Sequence, residues 1–280
     1  MSNRHSCTLN IAVKSRAETA PPKAEATGEA PDNTTIMGPL ATWKKVRRAG
    51  VRGLAQRAID EVQFRFDIFP GLDYQPLPWI GLHDARRGAG TEERWRAIEK
   101  SLNGRTINSA LDIGCQVGYF CFAFAFKGVP TLGIEMNDRY VRIARYAARK
   151  IKCHKAAFCI MEVSRDTAAL LPNVDVVLLL SVWHHWVRRN GLQNATRLLS
   201  DVWGKCHKVL FFETGEAETA GCNRPSQIQP SSDEWVRTYL SDTCNRSAVL
   251  NIGQTKAFVL SNDGTKKVIP RDLYMVVRKE

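Results

Sequence analysis

From Gly104 onward, short apolar runs alternate with stretches whose apolar residues recur every three or four positions. The runs are Ala110 to Gly114, Thr131 to Met136, Ala156 to Met161, Val174 to Ser181 and Val209 to Glu213. They are short and rich in aliphatic residues, as strands buried on both faces are. The gaps at 118–127, 138–150, 164–170 and 190–204 carry helical spacing. Strands that alternate with helices predict an α/β fold, a Rossmann-like doubly wound sheet that is mostly parallel and covered on both faces. The texture changes near the end. Ala248 to Thr255, Lys256 to Leu260 and Leu273 to Arg278 read as strands joined by turns such as Asn262-Asp263-Gly264, so the sheet is predicted to finish in a hairpin.

Upstream, the pattern divides into two parts. Residues 1 to 35 are rich in Ala, Pro, Thr, Glu and Lys and poor in aromatics, a composition that cannot offset its ordering entropy, and they read as a disordered tail. Residues 36–105 read as an accessory segment preceding a domain over 106–280. Trp43-Lys44-Lys45-Val46-Arg47-Arg48 continues to Arg52 and Arg57 without an acid. It predicts a basic helix that either packs with a solvated face or meets an anionic surface. Phe64 to Ile80 is aromatic and carries Pro70, Pro76 and Pro78, which predicts an irregular arm lying across a neighbouring domain. Thr91 then caps a helix whose Trp95, Ile98 and Leu102 share a face.

Charge and cysteine content narrow the classes. The formal charge of +12 suits a polyanionic partner such as RNA, or a plain solubilising excess. Arg139, Arg142, Arg145, Arg149 and Lys152 recur at helical spacing and form one basic stripe, either solvated or phosphate-contacting. Eight cysteines are present, without the paired spacing of a zinc site or the density of a secreted scaffold, so reduced thiols and no metal are expected. No run approaches the ~20 apolar residues of a membrane span. The N-terminus also lacks a secretory signal's apolar core. A cytoplasmic location is expected.

The chemistry concentrates in Leu111-Asp112-Ile113-Gly114-Cys115-Gln116-Val117-Gly118-Tyr119-Phe120. A strand leads into a turn in which Gly114 permits a tight bend and Gly118 close backbone approach to a ligand. A dinucleotide-binding GxGxxG is absent, which argues against a dehydrogenase. Leu132-Gly133-Ile134-Glu135-Met136 ends a second strand in an acid about twenty residues on, the position from which a carboxylate accepts ribose hydroxyls. Together these residues resemble motif I and the following acid of class I S-adenosylmethionine-dependent methyltransferases. The resemblance covers roughly residues 106–280. It implies a seven-stranded sheet with its last strand antiparallel and S-adenosylmethionine as cofactor. By the same resemblance Asp112, Gly114, Cys115, Gly118 and Tyr119 lie around the cofactor's methionine end and Glu135 and Met136 at its ribose. Glu162, with Asp166 as competitor, is implied at the adenine. One departure is Gln116, where many members have glycine.

Val174 to Ser181 runs into Val182-Trp183-His184-His185-Trp186, and ligands of open α/β sheets bind beyond the carboxyl ends of strands. His184 and His185 are therefore catalytic candidates: a neutral imidazole there can take a proton from an acceptor hydroxyl. The packing alternative is a histidine pair held between two tryptophans. Glu213, at the end of the fifth strand, faces the same rim as a substrate-binding candidate or alternative base, or is a structural surface acid. Within the superfamily, the chain resembles both O-methyltransferases of polysaccharide and secondary-metabolite pathways and enzymes that modify wobble uridine in tRNA. The first implies a small-molecule or glycan hydroxyl as acceptor, the second RNA. A non-catalytic binding protein that keeps the fold is the remaining alternative.

Overall fold

The computed structural model describes residues 39–86, 88, 90–214, 233–260 and 266–279. The expected tail, the Asn262-Asp263-Gly264 turn and most of the stretch after Gly215 lie outside the described residues. The chain divides into two compact units, Met1–Leu54 and Ala55–Glu280. In the first, the described residues are the opening turns of α1 (Pro39–Ile68), which ends in the second.

Within the second unit, β1 (Ala110–Ile113), β2 (Thr131–Glu135), β3 (Ala156–Ile160), β4 (Val174–Leu180), β5 (Cys206–Glu213), β6 (Ser247–Leu260) and β7 (Lys266–Arg278) form one sheet. Its order is β3-β2-β1-β4-β5-β7-β6. The pairings among β1 to β5 are parallel, and β7 runs antiparallel to both β5 and β6. This is the seven-stranded architecture that the motif implied. Every residue of β4 is buried, and the period-2 alternation sends its side chains to opposite cores. Val177 and Leu179 pack with Leu198, Leu199 and Val202 of α5 (Trp183–Lys205). Val176, Leu178 and Leu180 pack with Phe120 and Phe124 of α3 (Tyr119–Phe126). The remaining helices are α2 (Thr91–Ser101), α4 (Asp138–Lys150) and α6 (Asp233–Thr243).

Several local expectations change. The helix expected at 164–170 is a single 3-10 turn at Ala168–Leu170, because Thr167 Oγ1 binds the Ser164 amide and the Glu162 carbonyl. Such side-chain bonds compete with helical pairing. α1 continues through Phe64 to Ile68, since a proline restricts only the residue before it and the first lies at Pro70. The two strands read over 248–260 are one, irregular between Asn251 and Gly253. α5 begins at Trp183, seven residues earlier than expected, with a break at Gly191 (φ 77°, ψ 161°).

Four arginines of the α4 stripe are engaged by the chain itself, while Arg145, Arg149 and Lys152 stay exposed. Arg142 grips the buried Asp67 carboxylate of α1 with two bonds of 3.0 Å. Arg149 pairs with Asp60 at 3.0 Å, and Arg139 donates to the Asp67 carbonyl at 2.7 Å. Arg145 donates through Nε and Nη2 to the Phe158 carbonyl of β3. Phe64 stacks on Tyr146 with ring centroids 3.9 Å apart, and the Tyr146 hydroxyl bonds Glu61. The carboxylate neighbour and burial push that phenol up to about 12.

Stripping the partner from a buried carboxylate is costly. Arg142→Met is therefore expected to destabilise the protein by about 2 kcal/mol, discounted because the arginine is part-exposed. Adding Asp67→Asn should recover part of the loss. Urea midpoints of the two variants check both statements.

Candidate functional site

Parallel pairing brings the carboxyl ends of β1, β2, β4 and β5 to one edge of the sheet. There the chain encloses a cavity of about 400 Å³, within the size range of small-molecule sites. Asp112, Gly114, Glu135, Met136, Glu162, His184 and His185 line it. Cys115, Gly118, Tyr119 and Glu213 are not among its lining residues.

The turn after β1 is fastened from below. One Glu135 oxygen accepts the Gln116 amide at 3.1 Å, and the other accepts the Asn137 amide at 2.9 Å. Gly114 has φ 73°, and a Cβ there would stand 2.5 Å from Val182 Cγ2. Gly118 (φ 88°) caps α3, and a Cβ would strike the Phe158 ring at 2.4 Å. Its space is required by packing. The Cys115 thiol is wholly buried beneath the turn, and a Cβ on Gly133 would meet both its sulfur and that of Cys121. Tyr119 donates its amide to Gln75 Oε1 at 3.0 Å and packs its ring against Trp79.

Two groups on this wall are held at a cost. Gln116 has φ 51° and is 6% exposed, yet its Oε1 and Nε2 are buried without a hydrogen-bond partner. Asp112 is 2% exposed, and its carboxyl accepts a bond from the Cys121 thiol at 3.5 Å. Burial, with a further push from Glu135, raises its carboxyl to about 7. Ile134, Met136, Met161 and Val163 supply apolar lining on the same side. Glu162 lines the cavity and is paired with Arg189. Asp166 is exposed and outside the lining.

The opposite wall follows β4. Ser181 takes φ 59° as the strand ends, and His184 and His185 follow at the start of α5, their rings 4.2 Å apart. His184 is 1% exposed, whereas His185 is exposed. Glu213 is fully buried behind this wall. It accepts hydrogen bonds from Ser181 Oγ, from Thr255 Oγ1 at 3.3 Å and from Arg271 Nη1 at 3.5 Å, and Arg94 Nε stands 3.1 Å away as an ion pair without hydrogen-bond geometry. Arg271 Nη1 also donates to Ser181 Oγ at 2.8 Å. Both arginines line the cavity. The Glu213 carboxylate instead sits one layer back.

The sequence did not mark Arg94, Arg271 or Ser181 as site residues, and it predicted the arm before Ile80 only as lying across a neighbouring domain. Asp73, Tyr74 and Gln75 of that arm line the cavity. Arg94 sits within a solvent-patterned helix and Arg271 within a strand, so only tertiary contact marks them. Among the described residues no cluster suited to a metal ion occurs, the described cysteines are free thiols, and no helix is long and apolar enough to cross a membrane.

No family model matches the chain. It is 32% identical over 109 residues to the O-antigen chain terminator bifunctional methyltransferase/kinase WbdD of Escherichia coli. That match covers 39% of this chain, and the chain spans 15% of the relative's length. A solved structure of WbdD with its C-terminal bundle ordered superposes with TM-score 0.53 at 22% identity, over 73% of this chain and 39% of that one. The magnesium protoporphyrin IX methyltransferase ChlM of Synechocystis, solved with bound S-adenosylmethionine, gives TM-score 0.48 at 16% identity over 68% and 80% of the two chains. The chain is thus similar in sequence to a part of a bifunctional methyltransferase/kinase and in fold to its solved structure.

A buried acid that holds its proton in the folded state but ionises near 4 when unfolded favours folding at low pH. The Asp112 contribution should be present below about pH 4 and lost as pH rises through about 7. Asp112→Asn is expected to flatten this dependence, measured as urea midpoints at pH 5 and pH 8. Gln116→Gly removes both an orphaned amide and a left-handed non-glycine residue. It should stabilise the unliganded protein by about 1 kcal/mol after glycine's entropic cost.

Proposed function

We propose that this chain is an S-adenosylmethionine-dependent methyltransferase acting on an oxygen of a small-molecule or glycan acceptor. The observation that carries this reading is the pairing of Asp112 and Glu135. They stand on adjacent parallel strand ends, beside a turn whose Gln116 side-chain amide is buried and unsatisfied, in one cavity that also holds His184 and His185. The fit to the cofactor is chemical as well as spatial. Orphaned polar groups and a carboxyl held near 7 by burial suit a ligand that brings its own polar and cationic groups.

When bound, the cofactor would supply a sulfonium methyl that an acceptor oxygen takes in line, the C–S bond breaking as the neutral thioether leaves. The protein's share is positioning, and for a hydroxyl acceptor the removal of one proton. Glu135 would accept the ribose hydroxyls, Ile134, Met136, Met161 and Val163 would enclose the adenine, and Glu162 would meet its amino group. Gly114 leaves room for the methionine end, beside Asp112 and Gln116. Cys115, Gly118 and Tyr119 act from behind by shaping the turn. His185, the more accessible of the pair, is the proposed base, with His184 packed beneath it.

The similarity to an O-antigen chain terminator supports a glycan acceptor over RNA. The basic stripe that would have favoured RNA is engaged by Asp60, Asp67 and the Phe158 carbonyl.

Titration calorimetry tests the cofactor reading. Glu135→Ala should weaken S-adenosylmethionine binding at least tenfold, and binding unchanged in that variant would overturn the assignment. Because the ligand's sulfonium favours ionised Asp112, affinity should rise from pH 6 to pH 8. The rise should be smaller for S-adenosylhomocysteine, which lacks that charge. Incorporation of tritiated methyl into separated glycan, small-molecule and RNA pools tests the acceptor, and His185→Ala should lower the rate by about a hundredfold.

A further inference from the structure

The two sides of the cavity differ in charge. The ends of β1, β2 and β3 present Asp112, held by burial near 7, Glu135, and Glu162 paired with Arg189, which also lines the cavity. The side formed by α2 and β7 presents Arg94 and Arg271. These guanidiniums come from segments far apart in the chain, and their side chains are 13% and 6% exposed. Burying an arginine is expensive unless an anion is near. Here Glu213 is shared between the two. Glu213 is itself 0% exposed and anchored by Ser181 and Thr255. It fixes the arginines from behind while both remain on the cavity surface.

We infer that Arg94 and Arg271 form an oxyanion-binding subsite, and that the methyl acceptor carries an anionic oxygen group, carboxylate or phosphate, which this subsite holds beside His184 and His185. This rests on the methyltransferase reading for the word acceptor, but the subsite itself rests on the charge layout alone. Guanidinium is the group of choice for such recognition, since its fork presents parallel N–H donors to two oxygens at once. The acidic wall repels the same anion, which keeps it out of the cofactor half. Ser181, strained at φ 59° and bonded to both Arg271 and Glu213, is a positioning residue that sets the angle of Arg271.

The test uses the full chain, with inorganic phosphate, acetate and neutral methyl glucoside as separate probes, each titrated calorimetrically with and without saturating S-adenosylhomocysteine. Phosphate or acetate should bind in the millimolar range or tighter, with methyl glucoside at least tenfold weaker. The stronger of the two anions identifies a tetrahedral or a planar group. Arg94→Gln should weaken anion binding at least tenfold while leaving S-adenosylhomocysteine affinity within twofold. Arg94→Lys, which keeps a charge beside Glu213, should fold normally and show an intermediate loss, since it lacks the fork. Ser181→Ala should weaken the anion and not the cofactor product. Anion binding absent from the wild type, or equal in wild type and Arg94→Lys, overturns the inference. Failure of S-adenosylhomocysteine to bind the wild type overturns the proposed function instead, and the anion titration without it still reads the subsite.

Discussion

A carboxylate taken fully out of water loses several kcal/mol of hydration that only cations and hydrogen-bond donors can replace. Glu213 meets that requirement by drawing in groups from separate parts of the chain: Ser181 after β4, Thr255 of β6, Arg271 of β7 and Arg94 of α2. The hairpin is thereby tied to the parallel sheet and α2 is set over its edge. A second constraint reinforces the join. A Cβ on Gly90 would stand 1.9 Å from the Lys256 carbonyl oxygen, so the backbones before α2 and in β6 approach as closely as glycine allows. The cavity wall is built from that contact.

Strain gathers at the same place. Gln116 and Ser181 both take left-handed backbone, at the ends of β1 and β4, and both line the cavity. Each such residue costs on the order of 1–3 kcal/mol. Neighbouring strands of a parallel sheet must diverge at their carboxyl ends to leave a crevice, and the chain turns sharply there to aim Gln116 and Ser181 inward. The unsatisfied Gln116 side-chain amide adds to the cost, and a ligand that bonds it returns the difference.

Much of this was legible in the residues themselves. The strand runs at Leu111, Ile134, Val177 and Phe211 fixed the sheet because buried parallel strands must be apolar on both faces. Asp112 and Glu135 stood out because each ends such a run. The function of other residues was invisible for physical reasons. Arg142 and Arg149 read as a solvated or phosphate-binding stripe, since their partners Asp67 and Asp60 lie about eighty residues away on another helix. Arg94 and Arg271 carry no local pattern, because Glu213 joins them only after the sheet has formed. Glu213 itself read as a rim acid, and its burial follows from β7 and β6 closing over it.

The difference in charge between the two sides of the cavity bears on turnover as well as on recognition. On the proposed function, methyl transfer leaves a neutral thioether where a sulfonium had been, so the wall of Asp112, Glu135 and Glu162 loses the cation that held the donor in place. An anion on the other side that accepts the methyl is likewise partly discharged. The field that loads the cavity with two opposite ions then has less to hold, and both products are released more readily than the substrates were bound.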